Sequence, residues 1–202
     1  HSISAARRAW SRHAHDVQQG ARVMYRILRS VVLVLIRIVL GSSLHVEGLE
    51  HVPRRGGLLL VSNHVGTVDP PLTGALVPRC DLHYMAKVEH FRGWYGPLFR
   101  AFHAFAVVRE SADRAALRRA LTLLGQGHAV LIYPEGSRSP DGVLQPARPG
   151  AGFIGLRSRA RIVPVAIWGS EHVIPRGRMV PRRAQVHVAF GRSFLLADGD
   201  EH

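Results

Sequence analysis

Leu58-Leu59-Leu60-Val61-Ser62-Asn63-His64-Val65-Gly66-Thr67-Val68-Asp69-Pro70-Pro71 is the stretch that decides how this chain folds. Four consecutive aliphatic residues without polar alternation read as a strand buried on both faces, as in a parallel sheet. Gly66 and Thr67 turn the chain, and Asp69 before Pro70 and Pro71 opens a helix, whose first turn tolerates proline. A strand end, a turn and a helix start bring His64 and Asp69 within hydrogen-bond reach, the geometry of a base with its orienting acid. The spacing alone decides nothing. With 13 histidines and seven aspartates in 202 residues, a His-x4-Asp arises by chance about half the time.

Outward from this stretch, apolar strands alternate with helical patterns. Strands are expected over 58–62, 83–87, 105–108, 129–133 and 162–167, and helices over 70–77, 93–104, 112–124 and 150–160. Ser111 is the expected cap of the third helix and Gly125 its stop. The alternation implies an α/β fold with a largely parallel central sheet flanked by helices. Alternating Val186 and Val188 place a late strand over 184–190, at an edge, and the polar, Pro- and Gly-bearing stretch 168–183 reads as a surface loop.

With 47% hydrophobic residues the chain supports one substantial core. The division expected is a helical segment over 1–44 followed by one α/β domain over 45–202. Cys80, the single cysteine, excludes an internal disulfide, and without a Cys-x2-Cys pair or metal-ligand spacing among the histidines no metal site is expected. A net charge of +13 attracts anions. No zinc finger or aromatic ribonucleoprotein signature is visible, so nucleic acid ranks below a membrane surface or a phosphorylated ligand.

Residues 3–18 read as a polar, basic helix, and 22–40 as a second one without Gly or Pro. In the second, Arg22, Arg26, Arg29, Ser30 and Arg37 share one stripe and the opposite side is aliphatic or Tyr. Arg37 in the most apolar part argues against spanning a bilayer, since a central arginine costs about 2.5–3.5 kcal/mol. A membrane-binding appendage lying in an anionic interface fits the pattern. The competing reading is a helix packed on the core with its arginines in water.

Ligands of such sheets collect beyond the carboxyl ends of the strands. There stand His64 and Asp69, then Lys87 and Glu89, then Arg109, then Tyr133-Pro134-Glu135-Gly136-Ser137-Arg138-Ser139, then Trp168 and Gly169. A base beside several cations suggests chemistry on a bound anion.

Asn63-His64-x4-Asp69, Ala106-Val107-Val108-Arg109, Tyr133 to Ser139 and Val163-Pro164-Val165-Ala166 resemble, in order and spacing, the four motif blocks of the glycerolipid acyltransferases, most like the bacterial 1-acyl-glycerol-3-phosphate (lysophosphatidic acid) acyltransferases. Arg148-x-Gly150 and Gly191 also fit. The resemblance implies transfer of a fatty acyl group from a coenzyme A or acyl carrier protein thioester, as co-substrate and without a cofactor, to the hydroxyl of a lysophospholipid, yielding phosphatidic acid. It implies His64 as general base, Asp69 as its orienter, and an acceptor site from Arg109, Glu135, Gly136, Ser137 and Arg138, with Arg148 keeping a charge common in the family; Lys87, at its strand end, reads equally as a phosphate ligand or as a surface charge. It further implies an N-terminal helical pair seated on the cytoplasmic face of the cell membrane, peripheral or monotopic.

The chemistry is intelligible from the residues. Imidazole accepts a proton near neutral pH as a hydroxyl attacks a thioester. Arginines clamp a phosphate bidentately, and backbone N–H groups in the turn over 66–69 are the expected oxyanion donors. Three residues depart from the family pattern: Gly66 where serine is frequent, Tyr133 where phenylalanine is usual, and Arg148 where lysine is common. The alternatives are an acyltransferase for another lyso-lipid or polar acceptor, a non-catalytic membrane-binding module, and a phosphate-ester hydrolase, which chelator sensitivity would reveal.

Overall fold

The structure, a computed structural model, describes residues 2–93, 96–107 and 113–196; Arg109 and Ser111 lie outside them. Strands β1 (Leu44–Glu47), β2 (Leu58–Ser62), β3 (Leu82–Lys87), β4 (Ala104–Val107), β5 (Ala129–Ile132), β6 (Arg161–Trp168) and β7 (Val186–Phe190) form one sheet in the order β1-β7-β6-β2-β5-β3-β4. Every pairing is parallel except β6 with β7. The aliphatic runs fall where two-sided burial demands them: Leu58, Leu59 and Leu60 of β2, and Ala129, Val130 and Leu131 of β5, are fully buried and paired in register.

Helices α1 (Ser2–Val39), α2 (Asp69–Leu76), α3 (Gly96–Ala101), α4 (Arg114–Gly125) and α5 (Pro149–Ser158) cover the sheet. On one face Leu72 of α2 and Ile36 and Val39 of α1 join Leu58, Leu60, Val163 and Val165. On the other, Ala120, Leu123 and Leu124 of α4 and Ile154 of α5 join Leu59, Val130 and Ile162. Asp113 caps α4, its Oδ1 accepting the Ala115 and Ala116 amides at 3.0 Å each.

Four expectations change. The residues 44–47, too short and mixed to read as a strand, pair with β7 and form the edge, so β7 is interior with Val186, Val188 and Phe190 buried. The helix expected over 93–104 shrinks to α3, because the chain turns at His103 (φ 58°) before entering β4. The N-terminal pair is one continuous α1 through Gly20, since a lone glycine costs only about 1 kcal/mol and does not by itself break a helix. The loop over 168–183 is not wholly surface: Ser170 is fully buried and Val173 nearly so.

The second helical stretch packs on the core by one face of α1 and leaves aliphatic side chains in solvent on another. Tyr25 is fully buried, stacked on His103 (4.8 Å between centroids) and edge-on to Phe102. Val23, Met24, Ile27, Val31, Val34, Leu35 and Ile38 remain about half or more exposed, with Arg26, Ser30 and Arg37 exposed among them. None of the described helices is long and apolar enough to cross a membrane.

Candidate active site

The site grows from the end of β2. Asn63 donates through Nδ2 to the Ile167 carbonyl and accepts the Ile167 amide at Oδ1, both at 2.7 Å, which fastens the carboxyl ends of β2 and β6 together. His64 follows, its backbone held by the loop after β5. Its amide donates to Glu135 Oε1 (3.0 Å), and its carbonyl accepts from the Ser139 amide (2.7 Å). The imidazole donates from Nδ1 to Asp69 Oδ2 at 2.8 Å and stacks on Tyr133, centroids 4.1 Å apart and planes at 22°. Because a carboxylate only accepts, this bond puts the neutral ring's proton on Nδ1 and the lone pair on Nε2.

Asp69 is fully buried at the start of α2. Its Oδ2 also accepts the Val65 and Gly66 amides at 2.8 Å each, and its Oδ1 accepts the hydroxyl of Ser170. Four donors thus converge on one carboxylate. The Asp69 amide in turn donates to the Gly66 carbonyl (3.3 Å). Two of the amides expected to stabilise an oxyanion, those of Gly66 and Asp69, are therefore committed within the turn itself.

Beside His64 opens a pocket of ≈ 320 Å³. Pro70, Pro71, Met85, Leu98, Phe99 and Phe102 supply apolar wall, and Thr67, Lys87 and Arg138 stand with His64 as polar lining. Tyr84, Ala86, His90, Ala104 and Tyr133 line it too. Burial pushes both phenols well above their ordinary value, with the Asp69 carboxylate adding at Tyr133, so both stay protonated.

His64, Asp69, Lys87 and Arg138 are thus brought together, Arg138 donating to the Thr67 hydroxyl. Arg148 is not part of the pocket lining: its amide donates to the Pro134 carbonyl (2.9 Å), and its guanidinium lies over Gly136, where a Cβ would meet Nε at 2.7 Å. With φ at +73°, Gly136 needs glycine for its backbone as well as for this approach. Glu135, buried and turned to the His64 amide, holds the His64 backbone instead of lining the pocket, and no ion pair joins it to Arg138. Ser137 is exposed. Among the described residues no group of three or more His, Cys, Asp or Glu is placed to share a metal ion. Sequence reasoning gave no part to Ser170 or to stacking by Tyr133. The strand-end rule reached Trp168 and Gly169 and stopped one residue short of Ser170.

A buried imidazole–carboxylate pair at the carboxyl ends of parallel strands, opening onto an apolar pocket with cations at its lining, is an arrangement able to support base-assisted group transfer in an α/β fold. Comparison with known proteins supplies the group. The family model described as Acyltransferase matches residues 43–168. The 1-acyl-sn-glycerol-3-phosphate acyltransferase of Bacillus subtilis (strain 168) is 30% identical over 176 residues, covering 87% of this chain and 84% of its own. The enzyme of that name from Limnanthes douglasii is 27% identical over 77% of this chain, which spans only 56% of that plant relative. The crystal structure of the 1-acyl-sn-glycerophosphate (LPA) acyltransferase PlsC from Thermotoga maritima shares the fold, with a TM-score of 0.74 and 22% identity over 92% of this chain and 74% of that one. The chain belongs to the acyltransferase family and is an O-acyltransferase.

Proposed function

We propose that this enzyme transfers a fatty acyl group from a coenzyme A or acyl carrier protein thioester to the free hydroxyl of 1-acyl-glycerol-3-phosphate, giving phosphatidic acid. The observation that carries the reading is His64, tied through Nδ1 to Asp69, at an apolar pocket whose lining also holds Lys87 and Arg138. The acceptor named for the Bacillus subtilis relative supplies the lipid. His64 Nε2 takes the proton of the acceptor hydroxyl as that oxygen bonds to the thioester carbonyl carbon. The C–S bond then breaks, and the imidazolium returns the proton to the departing sulfur, leaving an ester and a free thiol. Asp69 stabilises the imidazolium that forms between these steps. Lys87 and Arg138 meet the acceptor phosphate, and the apolar wall takes an acyl chain.

The exposed aliphatic stripe of α1 supports seating on an anionic membrane surface, peripheral or monotopic on the cytoplasmic face. A second apolar point supports it: Met179 and Val180, 92% and 77% exposed, top a loop carrying Arg176, Arg178, Arg182 and Arg183. Arg183 donates to the hydroxyls of Ser42 and Ser43, in the turn that follows α1 (2.9 Å each), so the loop is tied to the chain leaving the helix.

The test measures thiol release from palmitoyl-coenzyme A, and acyl transfer from palmitoyl carrier protein, with and without lysophosphatidate. Release is expected only with the acceptor present, and to vanish in a His64→Ala variant of unchanged melting temperature. Thiol release by that variant at the parent rate would overturn the reading.

A further inference from the structure

Position 66 is the departure from the family pattern inside the motif, a glycine where a serine is frequent. Gly66 has no left-handed φ, so its backbone makes no demand for glycine. Space does. A Cβ there would meet Ser170 Oγ at 2.5 Å and the Ser170 backbone carbonyl carbon and oxygen at 2.7 Å each, closer than packed atoms approach. The space above Gly66 is filled by the turn after β6, and that turn delivers a hydroxyl to Asp69 Oδ1.

We propose that Ser170 is a positioning residue of the catalytic pair, and that glycine at 66 is the condition for it. The inference rests on the base role given to His64 above. The turn is aimed by two fixed points. The Asn63–Ile167 double hydrogen bond sets where β6 ends. Gly169, at φ +82° and so close to β7 that a Cβ would lie 1.9 Å from the Gln185 carbonyl oxygen, swings the chain inward. Ser170 is then fully buried with its hydroxyl on a fully buried carboxylate. The three N–H donors on Oδ2 anchor one oxygen of Asp69, and a carboxyl group held at one oxygen can still tilt about that point. The Ser170 bond to the other oxygen fixes its plane, and with it the direction of the Asp69–His64 bond and of Nε2. A serine at 66 and a serine at 170 are two exclusive ways of placing a hydroxyl beside this motif; here the distant one is used.

The test is steady-state kinetics of lysophosphatidate acylation across pH, with melting temperatures for every variant. Ser170→Ala is expected to lower kcat about ten- to a hundredfold with little change in the KM for lysophosphatidate. The acid limb of its kcat/KM profile is expected to move to higher pH, because a carboxylate that has lost a donor attracts the imidazolium proton more strongly. Ser170→Thr keeps the hydroxyl and should stay within a few-fold of the parent. Gly66→Ala, which pushes the turn off Asp69, should resemble Ser170→Ala, and the double variant should be no slower than the slower single one, as residues acting through one contact require. An unchanged pH profile in a folded Ser170→Ala, a threonine variant as slow as the alanine one at an unchanged melting temperature, or additive losses in the double variant would each overturn the proposal. If His64→Ala itself remains active, the base reading fails; if His64→Ala is dead while Ser170→Ala matches the parent, only the present inference does.

Discussion

Replacing Asp69 by asparagine and by alanine should separate the fold from the chemistry at one position. Asp69 is fully buried, and its Oδ2 accepts three N–H donors while Oδ1 accepts one hydroxyl. An asparagine can keep its carbonyl toward His64, Val65 and Gly66 and turn its NH2 toward Ser170, because a hydroxyl can accept as well as donate. The Asp69→Asn variant therefore keeps every contact and the Nδ1–H tautomer of His64, and loses only charge. A unit charge about 4 Å from the forming imidazolium is worth about 4 kcal/mol at an effective dielectric constant near 20. That translates to roughly a thousandfold in kcat, with a small fall in melting temperature. Alanine instead strands three buried N–H groups at about 1–3 kcal/mol each, a sum of about 3–9 kcal/mol against a typical stability of about 5–15. Thiol release from palmitoyl-coenzyme A gives the kcat, circular dichroism the melting temperature, and 15N-detected NMR the tautomer. An asparagine variant that melts as low as the alanine one, or that turns over like the parent, would refute the reasoning.

Charging the exposed stripe of α1 with Val31→Asp and Ile38→Asp, both side chains largely in solvent, should leave the melting temperature unchanged and release the protein from vesicles containing anionic lipid in a flotation assay; retention at the parent level would remove the stripe from the membrane contact. Burial pushes His83 down to about 4, with His103 and His128 adding, and burial lowers His103 too, whereas an unfolded histidine titrates near about 6.5. Between those values the unfolded chain binds more protons, so stability falls as pH drops from about 6.5 toward about 4. A His83→Gln variant should flatten that dependence, read as the difference in melting temperature between pH 7.5 and pH 5. Arg79 is buried, pairs with Asp81 through two bonds (2.8 and 2.6 Å) and donates to the carbonyls of Gly56 (2.7 Å) and Gly127 (2.8 Å). Arg79→Lys keeps the charge but cannot reproduce that fork, and should cost about 1–3 kcal/mol in denaturant unfolding, with kcat of the folded fraction unchanged.

Legibility of the site from sequence depends on which contacts are local. His64 and Asp69 lie five residues apart, and a strand, a turn and a proline-bearing helix start determine their approach almost without the rest of the chain. The aliphatic runs of β2 and β5 likewise announce two-sided burial from composition alone. The contacts that finish the site are remote: Glu135 reaches His64 across 71 positions, and Ser170 reaches Asp69 across 101. No periodicity encodes these, and a serine in a stretch dense in Gly, Pro and Arg looks like loop until the sheet order is known. The edge strand was hidden for a related reason, since Leu44 and Val46 are too few to signal a strand until β7 pairs with them.

Sheet order is also the reason those remote contacts can form. A parallel sheet brings every strand's carboxyl end to one rim, so β2, β5 and β6, side by side, must present the segments after them to the same volume. From β2 come His64 and, past the turn, Asp69; from β5 comes the loop that holds His64 by its backbone; and from β6 comes the Ser170 hydroxyl on the Asp69 carboxylate. Each contributor comes from a different strand, so a substitution in one loop acts on the others through the imidazole or the carboxylate. Gly66 shows the consequence. Its missing side chain makes no contact of its own, and its effect lies wholly in letting the segment after β6 reach the residue three positions further along.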